Sequence, residues 1–407
     1  MTLRNWYANR ELLLTGVTSD VGRALLEKIL RSFPDVKVYA VIRSRDDVNK
    51  DDRIKKIFFS PRYERLRQEE PNAISRVKAL EGNLLFDDLG LSEEDKDSLR
   101  NVSVVFHAAG PHDAVFEFCQ ELPQLETVAA VSSIFRHKGQ IAETLQNERV
   151  PDIPLALVRV PLVGPPYREP MPGFVDVFNG STAFVVGSGL ALGKSEFQAE
   201  IIPIDLTVNT LIAVAWERGI AKNVDRPVVY NAATIGCTWG ELIKKGRRGN
   251  RKFTYPTFGF RGMTSVAALH WVLVLLFEWL PSTLCDTVLG LFGMKKRLLQ
   301  EHERVRNALR SLESISSRPW SAERNRVYQL QRHLTSEDQD AFPVTAEIDI
   351  ENYVLCAAAA TRKHCVGEAN VRLLRAIRLF FFFVVTLVLF YVVFFYRHQM
   401  PVKQRGL

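Results

Sequence analysis

The residues best placed to do chemistry sit in a short turn, Thr15-Gly16-Val17-Thr18-Ser19-Asp20-Val21-Gly22. Glycines at the first and third positions of such a turn let the backbone bend sharply. A pyrophosphate can then approach main-chain N–H groups at the start of a helix. Gly16 and Gly22 fill those positions, whereas Ser19 stands where a middle glycine is expected, and its Cβ crowds the approach. The turn follows an apolar run, Glu11–Thr15, and precedes helical spacing from Val21 to Leu30, the context a dinucleotide turn requires. The next strand ends at Arg43. An acid there would bind a ribose 2′-hydroxyl; an arginine suits a 2′-phosphate and favours NADP(H) over NAD(H), the other reading being a solvated surface arginine.

These groups need a sheet to hold them. Val36–Ile42, Val102–His107, Thr127–Val131 and Leu155–Val160 read as further strands separated by helical segments, which predicts a parallel, doubly wound Rossmann-type α/β sheet. From Phe253 the texture becomes helical and rich in Leu and Arg, so a boundary is placed near Gly249. The expected units are a nucleotide-binding domain over 1–249, a helical domain over 250–366 and a transmembrane helix over 379–396.

That last helix, Leu379–Tyr396, is free of charge, and eighteen residues at about 1.5 Å each span roughly 27 Å, close to a hydrocarbon core. Arg372, Arg375 and Arg378 precede it; Arg397, Lys403 and Arg405 follow. A tail anchor leaving the large N-terminal part in the cytosol is expected, in the endoplasmic reticulum or peroxisomal membrane. Val266–Met294 is also apolar, but His270, Glu278, Pro281 and Asp286 interrupt it, and it reads as a core helix pair or a surface-embedded hairpin.

Charge and cysteine exclude other classes. Arg362–Leu407 holds eight Lys/Arg against one Glu, the whole net charge of +7, so no basic face remains for nucleic acid. Five scattered cysteines, without Cys-x-x-Cys or His-Glu-x-x-His, argue against a disulfide framework or a metal site.

The chain resembles the alcohol-forming fatty acyl-CoA reductases, extended members of the short-chain dehydrogenase/reductase class. The resemblance rests on TGVTSDVG, SPRYERLRQEEP, EGNLLFDDLGLS, VVFHAAG, REPMPGFVDVFNG, EIIPIDLTVN and the C-terminal WSAERN, DQDAF and IDIENYV. It implies NADPH as cofactor, long-chain acyl-CoA as substrate and reduction through an aldehyde to a primary alcohol. The membrane would be a further partner through the C-terminal helix, and relatives could be partners in a homo- or hetero-oligomer. Thr15, Gly16, Thr18, Ser19, Val21, Gly22, Arg43, Asn83, His107, Ala108 and Ala109 then fall on the cofactor site, with Asn83 where the family usually carries Asp.

The family's catalytic helix carries Tyr-x-x-x-Lys, the tyrosine as proton donor and the lysine lowering its pKa. Ser133, beside Ser132, matches the hydroxyl that polarises the carbonyl. FRHKGQIAE matches the helix, expected over Ile134–Glu148. Aligned on its Ala-Glu end, Phe135 takes the tyrosine position and Gly139 the lysine position. Aligned on Lys138, Ile134 takes the tyrosine position, so the donor is missing either way. The chain is also shorter than the family after Gly110 and after Ser133, though a short helix over Ala114–Glu121 still permits the crossover. An NADPH-dependent reductase and an inactive binding member both follow from this pattern.

Overall fold

The computed structural model describes residues 1–399 except 46–47, 109, 111, 138, 146–151, 176–177, 187–188, 222–226, 254–257, 259–260, 292, 294–297 and 367–370. At its centre is a sheet of seven strands: β1 (Glu11–Thr15), β2 (Lys37–Ile42), β3 (Val77–Glu81), β4 (Val102–His107), β5 (Thr127–Ser133), β6 (Leu155–Val160) and β7 (Val228–Asn231). Every pairing is parallel, and the order across the sheet is β7-β6-β5-β4-β1-β2-β3. Strands buried on both faces need continuous apolar runs. Val102–His107 and Leu155–Val160 are buried at every residue, with Ser103, His107 and Arg159 as their only polar members.

Alternate side chains divide the sheet between two cores. Leu12, Leu14, Val104, Phe106 and Ala129 face the helices Asp20–Ser32 and Ile204–Ile220. Leu13, Val105, Val128 and Ala130 face the helix Asp113–Gln120. The helix Ile204–Ile220 is buried along nearly its whole length, which explains why it lacks a polar face. The C-terminal segment shares the first of these cores through Val327, Leu330, Phe342 and Val344, and Phe342 stacks on Phe33 at 5.4 Å. The helix Trp239–Lys252 continues through residue 249.

The two motifs most specific to the resemblance bind each other. Buried Asp205, from IIPIDLTVN, accepts the N–H groups of Tyr167, Arg168 and Glu169 at 2.9, 2.7 and 3.1 Å. Glu169, from REPMPG, in turn pairs with Lys28, Arg31 and Arg65. They fasten the loop 165–170 to the first crossover helix and so serve the architecture around the site.

Two expectations are corrected. Among the described residues of Ile134–Glu148 no crossover helix forms: Ile134–Arg136 makes a 3-10 turn, and Gln140–Ile141 then extends to pair with Ser321–Ala322. The stretch Val266–Met294 is no core helix pair either. Ala267–Leu291 runs as one helix with a π turn at Leu275–Trp279, and most of its apolar side chains face outward. It is the one helix among the described residues that is long and apolar enough to cross a membrane by length and composition. The C-terminal helix, Val371–Gln399, carries a shorter apolar stretch, Leu379–Val392.

Candidate functional site

In open α/β sheets ligands bind outside the carboxyl ends of the strands, where the strand order reverses. That point lies between β1 and β4, and Thr15 and His107 end these two strands in register with one another. Both are fully buried, and Thr15 Oγ1 and His107 Nδ1 share a hydrogen bond of 2.6 Å. Ala108 N–H donates to Thr15 O at 3.0 Å, which carries the β4 loop back over the turn. His112 lies edge-on to His107 at 5.0 Å between ring centres and stacks on Phe116.

The turn has the shape its glycines predict. Gly16 adopts φ 76°, a left-handed conformation that glycine reaches without strain. A Cβ on Gly22 would lie 2.1 Å from Gly16 O, so strand and helix can meet only with glycine there. Ser19 has a role the spacing alone did not reveal. Its hydroxyl accepts the Gly22 N–H at 2.9 Å and caps the helix Asp20–Ser32, while its own N–H donates to Gly16 O. The serine therefore holds the turn but engages one of the N–H groups that an anion would use. Asp20 begins the helix with negative charge, balanced by the salt bridge to Arg23 and by Arg62 at 4.0 Å. Thr18 is exposed at the crest of the turn, and Val21 packs beneath it in the core.

Arg43 is exposed beyond the end of β2, and its carbonyl accepts a hydrogen bond from Arg53. Asn83 shapes the loop after β3: its Oδ1 accepts the Leu85 N–H at 3.3 Å and its own N–H donates to Leu89 O at 2.6 Å. These residues and the glycine turn occupy the same edge of the sheet. The glycine cradle, which a single Cβ would fill, fits a dinucleotide. Ala109 and Lys138 lie outside the described residues.

The catalytic side differs. Ser133 ends β5 opposite Val160, but its Oγ accepts the Phe135 N–H at 3.2 Å, capping the 3-10 turn. Phe135 packs edge-on against Trp320 at 4.9 Å. From there the chain is clamped in extended form. Arg159, fully buried on β6, donates to the carbonyls of Ala142 and Thr144 at 2.8 Å each. Asn231 donates to Ile141 O and Glu323 O, and both oxygens of Glu143 accept the Arg326 N–H. Glu200 and Arg324 add a buried salt bridge beside them. The sequence reading missed this clamp, whose only signal is two buried-type polar residues, Arg159 and Asn231, closing otherwise apolar strands.

Among the described residues no buried tyrosine substitutes for the missing donor; Tyr63, for one, gives its hydroxyl to Arg23 O. The hydroxyls of Tyr7, Tyr39, Tyr230 and Tyr353 are given to Ile212 O, Glu11, Glu217 and Pro165 O. Burial raises the pKa of each, the opposite of what a proton donor near neutrality needs. A cavity of about 1010 Å³ lined by Trp6, Arg10, Glu126 and Pro154 opens at the other edge of the sheet, away from all these groups.

Two family profiles, both described as male sterility protein, match the chain: an NAD-binding one over residues 14–125 and a second over 277–368. Fatty acyl-CoA reductase 1 of Mus musculus is 25% identical over 455 residues, covering 90% of this chain and 87% of its own length. Its counterpart in Xenopus laevis is 26% identical over 451 residues with the same coverage. The chain is similar to the fatty acyl-CoA reductases over nine-tenths of its length.

The reductase domain of a non-ribosomal peptide synthetase from Mycobacterium tuberculosis shares the fold, with a TM-score of 0.59 at 16% identity over 87% of this chain and 92% of that one. The chain is short beside the fatty acyl-CoA reductase of mouse. The 455 positions aligned with the mouse protein exceed its 407 residues, so the relative carries stretches without a counterpart here. The NAD-binding match ends at residue 125, just before β5 and the altered segment.

Proposed function

We propose that this chain is a membrane-bound NADP(H)-binding member of the fatty acyl-CoA reductase family that holds cofactor and long-chain acyl-CoA without turning them over efficiently. The glycine cradle at the β1–β4 switch point carries the nucleotide reading. Thr15, Gly16, Thr18, Ser19, Val21 and Gly22 would receive the pyrophosphate, and His107, Ala108 and Ala109 would floor the cleft. Asn83 would border the adenine, and Arg43 would meet the 2′-phosphate. The nicotinamide, when bound, supplies hydride; this chain must then supply a proton to the developing oxyanion. General acid help contributes about 10²–10⁴-fold, and the described tyrosine hydroxyls that hydrogen-bond are committed elsewhere.

A slower reductase is the second reading, favoured by the retention of Ser133 at the end of β5. Its hydroxyl would polarise the acyl carbonyl while water replaces the tyrosine; Lys138 would be the lysine on that segment. In either reading 1–249 binds the nucleotide, 250–366 forms the family's C-terminal region and 379–396 anchors the chain. The large part would face the cytosol at the endoplasmic reticulum or peroxisome, where it could pair with relatives.

The test is a fluorescence titration of the full chain in detergent with NADPH and NADH. NADPH should bind more tightly, and Arg43→Ala should remove the difference. Equal affinities in the unaltered chain would overturn the assignment of Arg43 and of the cofactor.

A further inference from the structure

We infer that the helix Ala267–Leu291 is a second membrane-contacting element, lying along the bilayer surface beside the anchor. Its polarity is inverted. A helix on a water-soluble surface turns its apolar stripe inward and its charges outward. Here His270, Glu278 and Asp286 all point inward and are engaged by the protein. Glu278, 1% exposed, accepts the Leu190 N–H at 2.8 Å and pairs with Arg306 at 3.2 Å. Asp286 accepts the N–H groups of Leu298 and Leu299 and so caps the following helix, Leu298–Arg310. His270 hydrogen-bonds Leu190 O and meets Arg306. The π turn at Leu275–Trp279 inserts one residue between His270 and Glu278, rotating both onto the same inward side.

The outward side is left to Trp271, Val272, Leu276, Leu280, Leu284 and Val288, all exposed. Isolated apolar residues on a surface mean little, but a contiguous patch marks a partner. Among the described residues, all but eight of the exposed large apolar side chains lie on this helix, with its cap Val266, or on the C-terminal helix Val371–Gln399. The two surfaces are continuous. Phe277 meets Phe382 at 6.1 Å and Phe258 meets Phe381 at 5.5 Å, at the start of the apolar run that begins at Leu379.

Charge favours lipid over a second copy of the chain. Lys295, Lys296 and Arg297 follow the helix in sequence, while the groove beneath Trp271 and Trp279 is balanced, Arg306 and Arg310 against Glu303 and Glu313. Basic residues beside an apolar face with interfacial tryptophans suit anionic headgroups. Because its inner side is packed on the protein, the helix cannot cross. The body of the protein therefore lies down on the membrane instead of swinging from a single tether. The inference uses the proposed C-terminal anchor but is independent of any catalytic reading.

The test places the full chain in phosphatidylcholine–phosphatidylserine vesicles carrying brominated acyl chains, which quench tryptophan only on contact. The chain should float with the vesicles, and its emission should be partly quenched. Trp271→Phe with Trp279→Phe should remove at least half of the quenched fraction. An unchanged quenched fraction would overturn the inference, whereas failure to float would count against the anchor. A nitroxide at Leu276→Cys gives a second reading: collisions with oxygen should exceed those with a water-soluble nickel complex. Preference for nickel, meaning water, or protection from both, meaning a second copy, would overturn it.

Discussion

Ser133 and Phe135 are bound to each other: the serine Oγ accepts the phenylalanine N–H at 3.2 Å, and the chain turns there instead of starting a crossover helix. The hydroxyl expected to meet a substrate carbonyl caps a 3-10 turn, and a phenyl ring follows it. The consequence is local. Ser133→Ala should cost about 1 kcal/mol of stability, the ordinary value of a lost cap, and leave NADPH affinity unchanged. Thermal unfolding with and without cofactor would check this; a loss of NADPH affinity would instead put Ser133 at the nicotinamide.

Restoring the missing pair by substitution should fail. Phe135→Tyr with Gly139→Lys would rebuild Tyr-x-x-x-Lys on paper, but residues four apart share a face only in a helix. Gln140–Ile141 is held extended against Ser321–Ala322. The doubly substituted protein should show no gain in alcohol formation from acyl-CoA, and a gain of tenfold or more would mean that the segment can re-form the helix.

The clamp makes a separate prediction. Glu200 is fully buried, and its partner Arg324 keeps only 14% of its side chain exposed. Removing one member of such a pair strands the other and costs about 3–5 kcal/mol. Arg324→Met should lower the unfolding midpoint markedly and speed hydrogen exchange at residues 140–144 first. Uniform acceleration across the sheet would show that the clamp is not a local device.

At the turn, Gly22→Ala should abolish nucleotide binding and destabilise the chain, because its Cβ would collide with Gly16 O. Ser19→Gly should do the reverse for binding. A glycine cap loses only a few tenths of a kcal/mol relative to serine, while the Gly22 N–H and the space beside it become available to phosphate. NADPH affinity should rise several-fold in an equilibrium titration.

His302 gives a pH dependence. Burial first, and then the Arg306 guanidinium, lower its pKa from 6.5 to about 4. The folded protein therefore holds it neutral, with Glu278 3.6 Å away. Its contribution is complete above about 6.5 and is lost as pH falls towards 4, because the unfolded chain binds the proton more readily. Hydrogen exchange in Leu298–Arg310 should accelerate over that interval, and His302→Gln should flatten the response.

Much of this architecture was legible because parallel strands announce themselves. Glu11–Thr15, Val102–His107 and Leu155–Val160 begin and end where their apolar runs do. Val77–Glu81 and Val228–Asn231 escaped because they are short edge strands whose polar ends break the pattern. The glycine turn was legible from spacing, since only glycine satisfies both the positive φ at Gly16 and the contact at Gly22. Ile134–Glu148 was misread for a physical reason: a segment held by Arg159, Asn231 and Glu323 takes its shape from distant partners, against its own helical composition. The same holds at Ala267–Leu291, where His270, Glu278 and Asp286 read as interruptions but are held by inward partners.

The proposed function is that of a cofactor cleft without a proton donor among the described residues. The most direct measurement incubates the purified full chain, reconstituted in vesicles, with NADPH and a long-chain acyl-CoA, and follows NADPH oxidation together with aldehyde and alcohol. Saturable NADPH binding with product no higher than in a Gly22→Ala control is the expected result. Turnover comparable to that of a relative carrying the intact Tyr-x-x-x-Lys helix would contradict it.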